Sequence, residues 1–245
     1  MAGLIIIRDP RSRRWRAARR EIRRVGWLRF LDVVAFRAYA RLRLARRDRA
    51  WTTSEVARLR RRYPADLASV PRIVVSTPNA DEAREFLERL RPDLAVARCK
   101  IILKQAIFSI PRVGTFVLHP GICPEYRNAH GCFWALARRD LDRVGMTLLR
   151  VDPGIDTGPI FLHGTYDFDE VDESHSVIQY RTVIENLDAI GERAHRVCAA
   201  AKHVKPVSVE GRESAVWGQP QLTAYLRWKW EARRKRHESR IPALS

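Results

Sequence analysis

The sequence predicts an α/β protein: a Rossmann-like, mostly parallel sheet with helices on both faces, followed by a helical C-terminal extension. Three observations lead there. Short all-apolar runs such as Leu4-Ile-Ile-Ile7 have the pattern of strands covered on both faces. From Arg72 to Leu118, strand-like and helix-like segments alternate at βαβ spacing. Turn-forming Pro and Gly stand at the ends of the later hydrophobic runs, where such folds hold the groups that move protons.

Taken in order, Gly3–Ile7 is a first strand, too short for the apolar region of a signal peptide. A basic helical insertion covers about 11–65. Within it Trp27, Leu31, Val34, Ala38, Leu42 and Ala45 recur at spacings of three and four and make one apolar stripe. Arg29, Asp32, Arg37, Arg41, Arg43 and Arg47 sit mostly off that stripe, and these charges exclude a transmembrane helix. A basic, aromatic-rich amphipathic helix suits a membrane surface. A helix packed on the sheet with its arginines in solvent suits the pattern too. The packed arrangement is the expectation, because Val33, Phe36 and Leu44 lie off the stripe and also need covering.

Regular α/β patterning begins near residue 70. Arg72–Ser76 is a strand, and Pro78-Asn79 turns the chain. Asn79 then caps a helix, with Glu82 in capping-box position. Ala83, Phe86, Leu87 and Leu90 form that helix's inner face, and Pro92 ends it. Leu94–Ala97 and Gly114–Leu118 are further strands. A helix around Cys132–Arg138 and strands over Gly145–Val151 and Pro159–Tyr166 complete the core. Ser174 to about Ala201 reads as one long helix, with Val177, Ile178, Val183, Ile184, Leu187, Ile190, Ala194 and Val197 as its apolar positions. The last forty or so residues place Trp217, Trp228 and Trp230 among arginines, as an appended segment. The chain therefore divides into an α/β core over 1–168, with its insertion, and an extension over 169–245 without a barrel domain.

Composition bounds the partners. Lys and Arg total 46 against 28 Asp and Glu, a net charge of +18, which attracts polyanions. That charge concentrates at the ends: Arg8, Arg11, Arg13, Arg14, Arg16, Arg19, Arg20, Arg23 and Arg24 at one, Arg227, Lys229, Arg233, Arg234, Lys235 and Arg236 at the other. The stretch from about 150 to 190 is acidic. This layout favours peripheral contacts over a central groove holding a long polyanion. Cys99, Cys123, Cys132 and Cys198 fit neither a zinc spacing nor a disulfide framework, so no metal site is expected. Without a signal peptide, a reduced cytoplasmic protein is the expectation. No GxGxxG or GxxxxGK[ST] follows the first strand, where Arg8-Asp9-Pro10 stands, which disfavours an ordinary nucleotide site.

The most informative segments are His119-Pro-Gly-Ile-Cys-Pro-Glu-Tyr-Arg127 and Asp152-Pro-Gly-Ile-Asp-Thr-Gly-Pro-Ile160. With Val117-Leu118 ahead of the histidine, Phe133-Trp134-Ala135-Leu136 between the two, and Pro78-Asn79 and Pro92-Asp93-Leu94 upstream, they span somewhat over a third of the chain. This span resembles the formyltransferases that use 10-formyltetrahydrofolate, represented by the methionyl-tRNA, glycinamide-ribonucleotide and sugar N-formyltransferases. Order, spacing and flanking prolines agree together.

The resemblance implies a transferase that moves a formyl group from 10-formyltetrahydrofolate to an amine through a tetrahedral intermediate. That chemistry needs an oxyanion donor and a base for the amine proton. His119 matches the donor or proton shuttle, and Asp156 the group that orients it and takes up the proton. The family's third catalytic member, an asparagine two residues before the histidine, is Val117 here. Thr115 and Asn128 are the nearest replacements by sequence, and Asn128 is assigned to the catalytic set. Asn128 stands where the family usually has Gly, and Gly131 where it usually has Pro. The implied folate site takes in Cys99, Lys100, Ile102 and Leu103 before the histidine and Val151, Asp152, Gly154 and Ile155 after it. The implied acceptor site takes in Pro124, Tyr126, Arg127 and His130. Cys123 and Cys132 read as core thiols, not nucleophiles, and His163 as structural.

The tRNA-specific relatives carry a C-terminal β-barrel that the basic tail cannot make, and the purine-pathway relatives a phosphate loop that Arg8-Asp9-Pro10-Arg11 does not reproduce. The expected acceptor is therefore a small amine, above all a phosphorylated or nucleotide-linked amino sugar or other surface-glycan precursor. A competing reading is a catalytically lapsed relative that binds folate, a glycan precursor or an anionic membrane surface, favoured by Val117. Nucleic-acid binding through the basic ends ranks last, since no nucleic-acid motif is recognisable.

Overall fold

The computed structural model describes residues 1–8, 13–200 and 203–239, with backbone alone for 13–20. Arg11 and the side chains of Arg13, Arg14, Arg16, Arg19 and Arg20, most of the N-terminal basic cluster, lie outside the described residues. In chain order the elements are β1 (Leu4–Ile7), α1 (Arg13–Tyr39), a π-helical turn (Ala40–Leu44), α2 (Ala45–Arg62), β2 (Arg72–Val75), α3 (Asp81–Leu90), β3 (Leu94–Ala97), α4 (Gln105–Phe108) and β4 (Gly114–His119). There follow β5 (Arg127–Asn128), α5 (Gly131–Ala137), a short turn of 3₁₀ helix (Leu141–Arg143), β6 (Met146–Arg150), β7 (Ile160–Gly164), α6 (His175–Ile184), α7 (Leu187–Ala200), β8 (Val216–Trp217) and α8 (Leu222–Glu238).

The class is α/β, as the apolar runs predict. β1 pairs with β2 in parallel, and a four-stranded sheet runs β3-β4-β6-β7. β3 lies parallel to β4, while β6 and β7 add antiparallel. With β5 parallel to β8, parallel pairings outnumber antiparallel ones among the described residues. β6 is the innermost strand, and Met146 to Leu149 are all buried. Phe116 and Phe161 meet edge to face at 5.3 Å beneath α7, where Ile190 and Val197 close that side of the core. A second cluster gathers Phe36 of α1, Phe133 of α5, Ile178 of α6 and Trp228 of α8.

Three details differ from the sequence reading. First, the inward face of α1 is formed by Val33 and Phe36, with Leu44 half-buried, whereas Trp27, Leu31, Val34 and Leu42 of the expected stripe face solvent. Both faces of α1 carry apolar residues, so periodicity alone cannot say which one turns inward. Second, Asn79 does not cap α3. Its amide spans the loop after β3, donating to Ile102 O at 2.9 Å and accepting from Lys104 N at 2.8 Å, so Ala80 becomes the N-cap. Third, the long helix breaks into α6 and α7 at Glu185-Asn186. Asn186 Nδ2 bonds the carbonyls of Thr165 and Thr182, and Gly164 approaches so closely that a Cβ there would lie 2.6 Å from Asn186 Cγ. A local side-chain bond of this kind competes with helix continuation. The Ser174 N-cap does form, its hydroxyl accepting from Val177 N at 3.1 Å.

The Trp-rich tail packs closely. α8 buries Ala224, Tyr225, Trp228 and Ala232, and Trp228 is fully buried. Buried Lys229 donates to the carbonyls of Glu170, Val171 and Glu173, which compensates its loss of water.

Candidate functional site

β4 ends on His119, and the chain then crosses itself tightly. A Cβ on Gly121 would lie 2.8 Å from Gly131 Cα and 2.9 Å from His119 Nε2, so only glycine fits this crossing. Thr147 of β6, fully buried, donates to Gly121 O at 2.7 Å and accepts from Cys123 N at 3.0 Å. His163 of β7 holds Cys123 O at 3.0 Å, a structural role. These bonds fix the loop that carries Pro124, Tyr126 and Arg127.

His119 is buried and addressed on both ring nitrogens. Nε2 lies 2.7 Å from Tyr126 O, and since a carbonyl only accepts, Nε2 carries the proton. Nδ1 faces Asp156 Oδ2 across 3.5 Å. The same Oδ2 accepts from Asn128 N at 2.8 Å. Asp156, Asn128 and His130 all sit at positive φ, at 51°, 74° and 57°. Strained backbone of this kind persists only where surroundings hold it, and it collects at functional sites.

The structure thus brings together His119, Asp156, Asn128, Tyr126 and Arg127. Arg127 Nη1 donates to Ile155 O at 3.2 Å, tying the two motifs, and its Nε is buried with no partner among the described residues. Tyr126 contributes through its carbonyl, for its ring is buried and its hydroxyl donates to Asp140 at 2.8 Å. Asn128 Nδ2 is turned to Trp217 O at 2.5 Å, so Asn128 reaches Asp156 through its backbone. Thr115 is turned away, its hydroxyl donating to Phe108 O at 2.9 Å. Val117 is packed against Cys123, Leu149 and Ile160.

The implied folate positions fall on two loops. Cys99, Lys100, Ile102 and Leu103 follow β3 on the stretch that Asn79 holds, and Cys99 Sγ donates to Ile101 O. Val151, Asp152, Gly154 and Ile155 follow β6. There Val151 N donates to Thr115 O, while Asp152 accepts from Gly154 N and the Thr157 hydroxyl, which shapes the turn delivering Asp156. Among the described residues, no hydrogen bond joins the first loop to His119 or Asp156. Pro124 accepts from Ala215 N at 3.2 Å.

Beside the site lies a buried polar group of which the sequence reading named His130 but not His175 or Gln179. His130 Nδ1, His175 Nδ1 and Gln179 Oε1 are buried without partners among the described residues. Burial, and then Lys100 nearby, lowers His130 to about 4. Burial, and then His130, lowers His175 to about 3. Cys123 and Cys132 are both pushed up to about 12, chiefly by burial, so neither thiol ionises near neutrality. Trp217 was missed as well. It stacks on Tyr126 at 5.6 Å and Trp134 at 5.2 Å, donates to Glu125 O at 2.8 Å, and pairs through β8 with Asn128. No local signal links a tail tryptophan to that loop.

The sequence pattern of a family described as formyl transferase matches residues 48–192, more than half of the chain. The methionyl-tRNA formyltransferase of Thermotoga maritima is 31% identical over 133 residues, which is 51% of this chain and 42% of that protein. The enzyme of the same name from Bacteroides fragilis is 29% identical over 164 residues, 60% of this chain and 50% of that protein. The chain thus spans half the length of these relatives, or less. Among solved structures, a sugar N-formyltransferase from Shewanella sp aligns at a TM-score of 0.49 and 16% identity, covering 73% of this chain and 83% of that one.

Proposed function

The chain belongs to the formyl transferase family, and from that premise we propose that it moves a formyl group from 10-formyltetrahydrofolate to the primary amine of a small acceptor. One observation carries this reading: His119 Nδ1 and Asp156 Oδ2 face each other at 3.5 Å while Nε2 is held by Tyr126 O. With a proton held on Nε2 by Tyr126 O, the His119 ring leaves Nδ1 as its exchangeable position, opposite a carboxylate. Two acceptors converging at a buried imidazole form a sink for a proton, and an attacking amine releases one. Once Nδ1 holds that proton, it is a charged N–H donor suited to the oxyanion. Asp156 stabilises the imidazolium, and Asn128 N–H fixes the Asp156 carboxylate.

The residues suit a folate. Ile102 and Ile155 are exposed on the two loops and offer apolar faces to a flat ring. Cys99, Lys100, Leu103, Val151, Asp152 and Gly154 shape those loops. When bound, the donor supplies an electrophilic formyl carbon. On the acceptor side, Arg127 with its unpartnered Nε, and Lys100 near His130, suit a phosphorylated or nucleotide-linked amino sugar. Pro124, Tyr126 and His130 line that side.

The test is calorimetric titration with 5-formyltetrahydrofolate, then tetrahydrofolate release from 10-formyltetrahydrofolate across a panel of amines. Micromolar binding with release on an amino sugar is expected, and His119→Ala keeps binding while losing release. No binding at millimolar folate overturns the reading. Val117 favours a second reading, a lapsed relative that still binds folate, because an apolar side chain donates nothing where the resemblance implies an asparagine. Under it, wild type releases nothing and Val117→Asn creates activity.

A further inference from the structure

We propose that α1 and the π-helical turn after it dock this protein on an anionic phospholipid surface, lying in the plane of the headgroups with Trp27, Leu28, Leu31, Val34 and Leu42 turned toward the acyl chains. Trp27 is 66% exposed, Leu28 85%, Leu31 58% and Leu42 80%. Bulky apolar side chains so open, recurring along α1 after its break at Gly26 and on into the π-helical turn, are a patch and not scattered exceptions. The opposite face of the helix is committed to the protein body. Val33 and Phe36 are buried, Phe36 packs on Phe133 and Tyr225, and Asp32 accepts from the Thr223 N–H of the adjoining α8. The row is thus held outward by the fold.

Charge selects the occupant. Arg29, Arg41, Arg43 and Arg46 accompany the row, Arg37 being tied to Gln219 Oε1, while the only acid between Gly26 and Arg47 is Asp32, already bonded to Thr223. Apolar residues beside guanidinium groups match a bilayer interface, where leucine and tryptophan enter the acyl boundary and arginine takes the phosphates. A nucleic acid would meet the arginines but leave the row in water. A second copy would set the arginines of both molecules against each other. The neighbouring α8 also presents Leu226 and Trp230, four residues apart, with Arg234 over the Trp230 ring. Neither helix falls within residues 48–192, so the surface is additional to what the family pattern covers.

The experiment is co-sedimentation of the full chain with vesicles of phosphatidylcholine, with and without phosphatidylglycerol. Wild type is expected to sediment with the anionic vesicles and stay in solution with the neutral ones. The variant carrying Leu28→Ser, Leu31→Ser and Leu42→Ser is expected to bind at least about tenfold more weakly, since each side chain contributes buried apolar area. Its helix content and urea midpoint should match wild type, because none of the three is in the core. Three results overturn the proposal: no binding to either vesicle, equal binding by the variant, or a wild-type dimer that the variant converts to monomer.

Discussion

Asp156 serves two partners with one oxygen, the Asn128 N–H and the His119 ring. Asp156→Asn keeps the size and the tolerance of positive φ but removes the charge that faces the His119 ring. Under the proposed function, formyl transfer should fall by about 10²–10⁴, read as tetrahydrofolate release, with the unfolding midpoint nearly unchanged. His130 and His175 govern a different property. Their folded values, about 4 and about 3, lie below the unfolded value of 6.5, so the unfolded chain binds protons that the folded one refuses. Their contribution to stability is complete above 6.5 and is lost as pH falls from there through about 4 and about 3. Urea midpoints should therefore drop between pH about 7.5 and about 5, and less steeply in His175→Leu. At this scale the turn-rich motifs were legible, and the two residues they singled out, His119 and Asp156, lie face to face. That Tyr126 and Asn128 reach these two through their backbones was not legible.

Within α1, two apolar residues eight apart have opposite fates. Phe36 fills a cluster with Phe133, Tyr225 and His175, whereas Leu28 faces water. Phe36→Ala should cost about 3–5 kcal/mol, and Leu28→Ala should stay within about 0.5 kcal/mol, both by urea unfolding. The six longer strands were legible almost to their ends, Leu94–Ala97 at its observed bounds, because short apolar runs between turns leave little choice, whereas the two-residue β5 and β8 were not. The inward face of α1 was not, since it depends on Phe133 and Tyr225, about a hundred and nearly two hundred residues away. Nor was the break at Asn186, which answers a carbonyl of Thr165.

Across the whole molecule, the two ends of the described chain enclose the middle, with α1 and α8 packed together over α5. The loop bearing Tyr126 and Arg127 is walled by Trp217, about ninety residues later. Trp217→Ala should cost about 3 kcal/mol and speed amide exchange over residues 124–130, measured by hydrogen–deuterium exchange. The α/β class was legible from composition and alternation, whereas this long closure left no local trace. It also sets an order of events during synthesis. Chains emerge N-terminus first, and domains begin to fold as they do. A nascent chain that has reached α7 owns both motifs, yet Asn128 still lacks its strand partner and Tyr126 its stacking ring. The loop can therefore assume its working form only after Trp217 leaves the ribosome, and a truncated product would carry the right residues around an unfinished pocket.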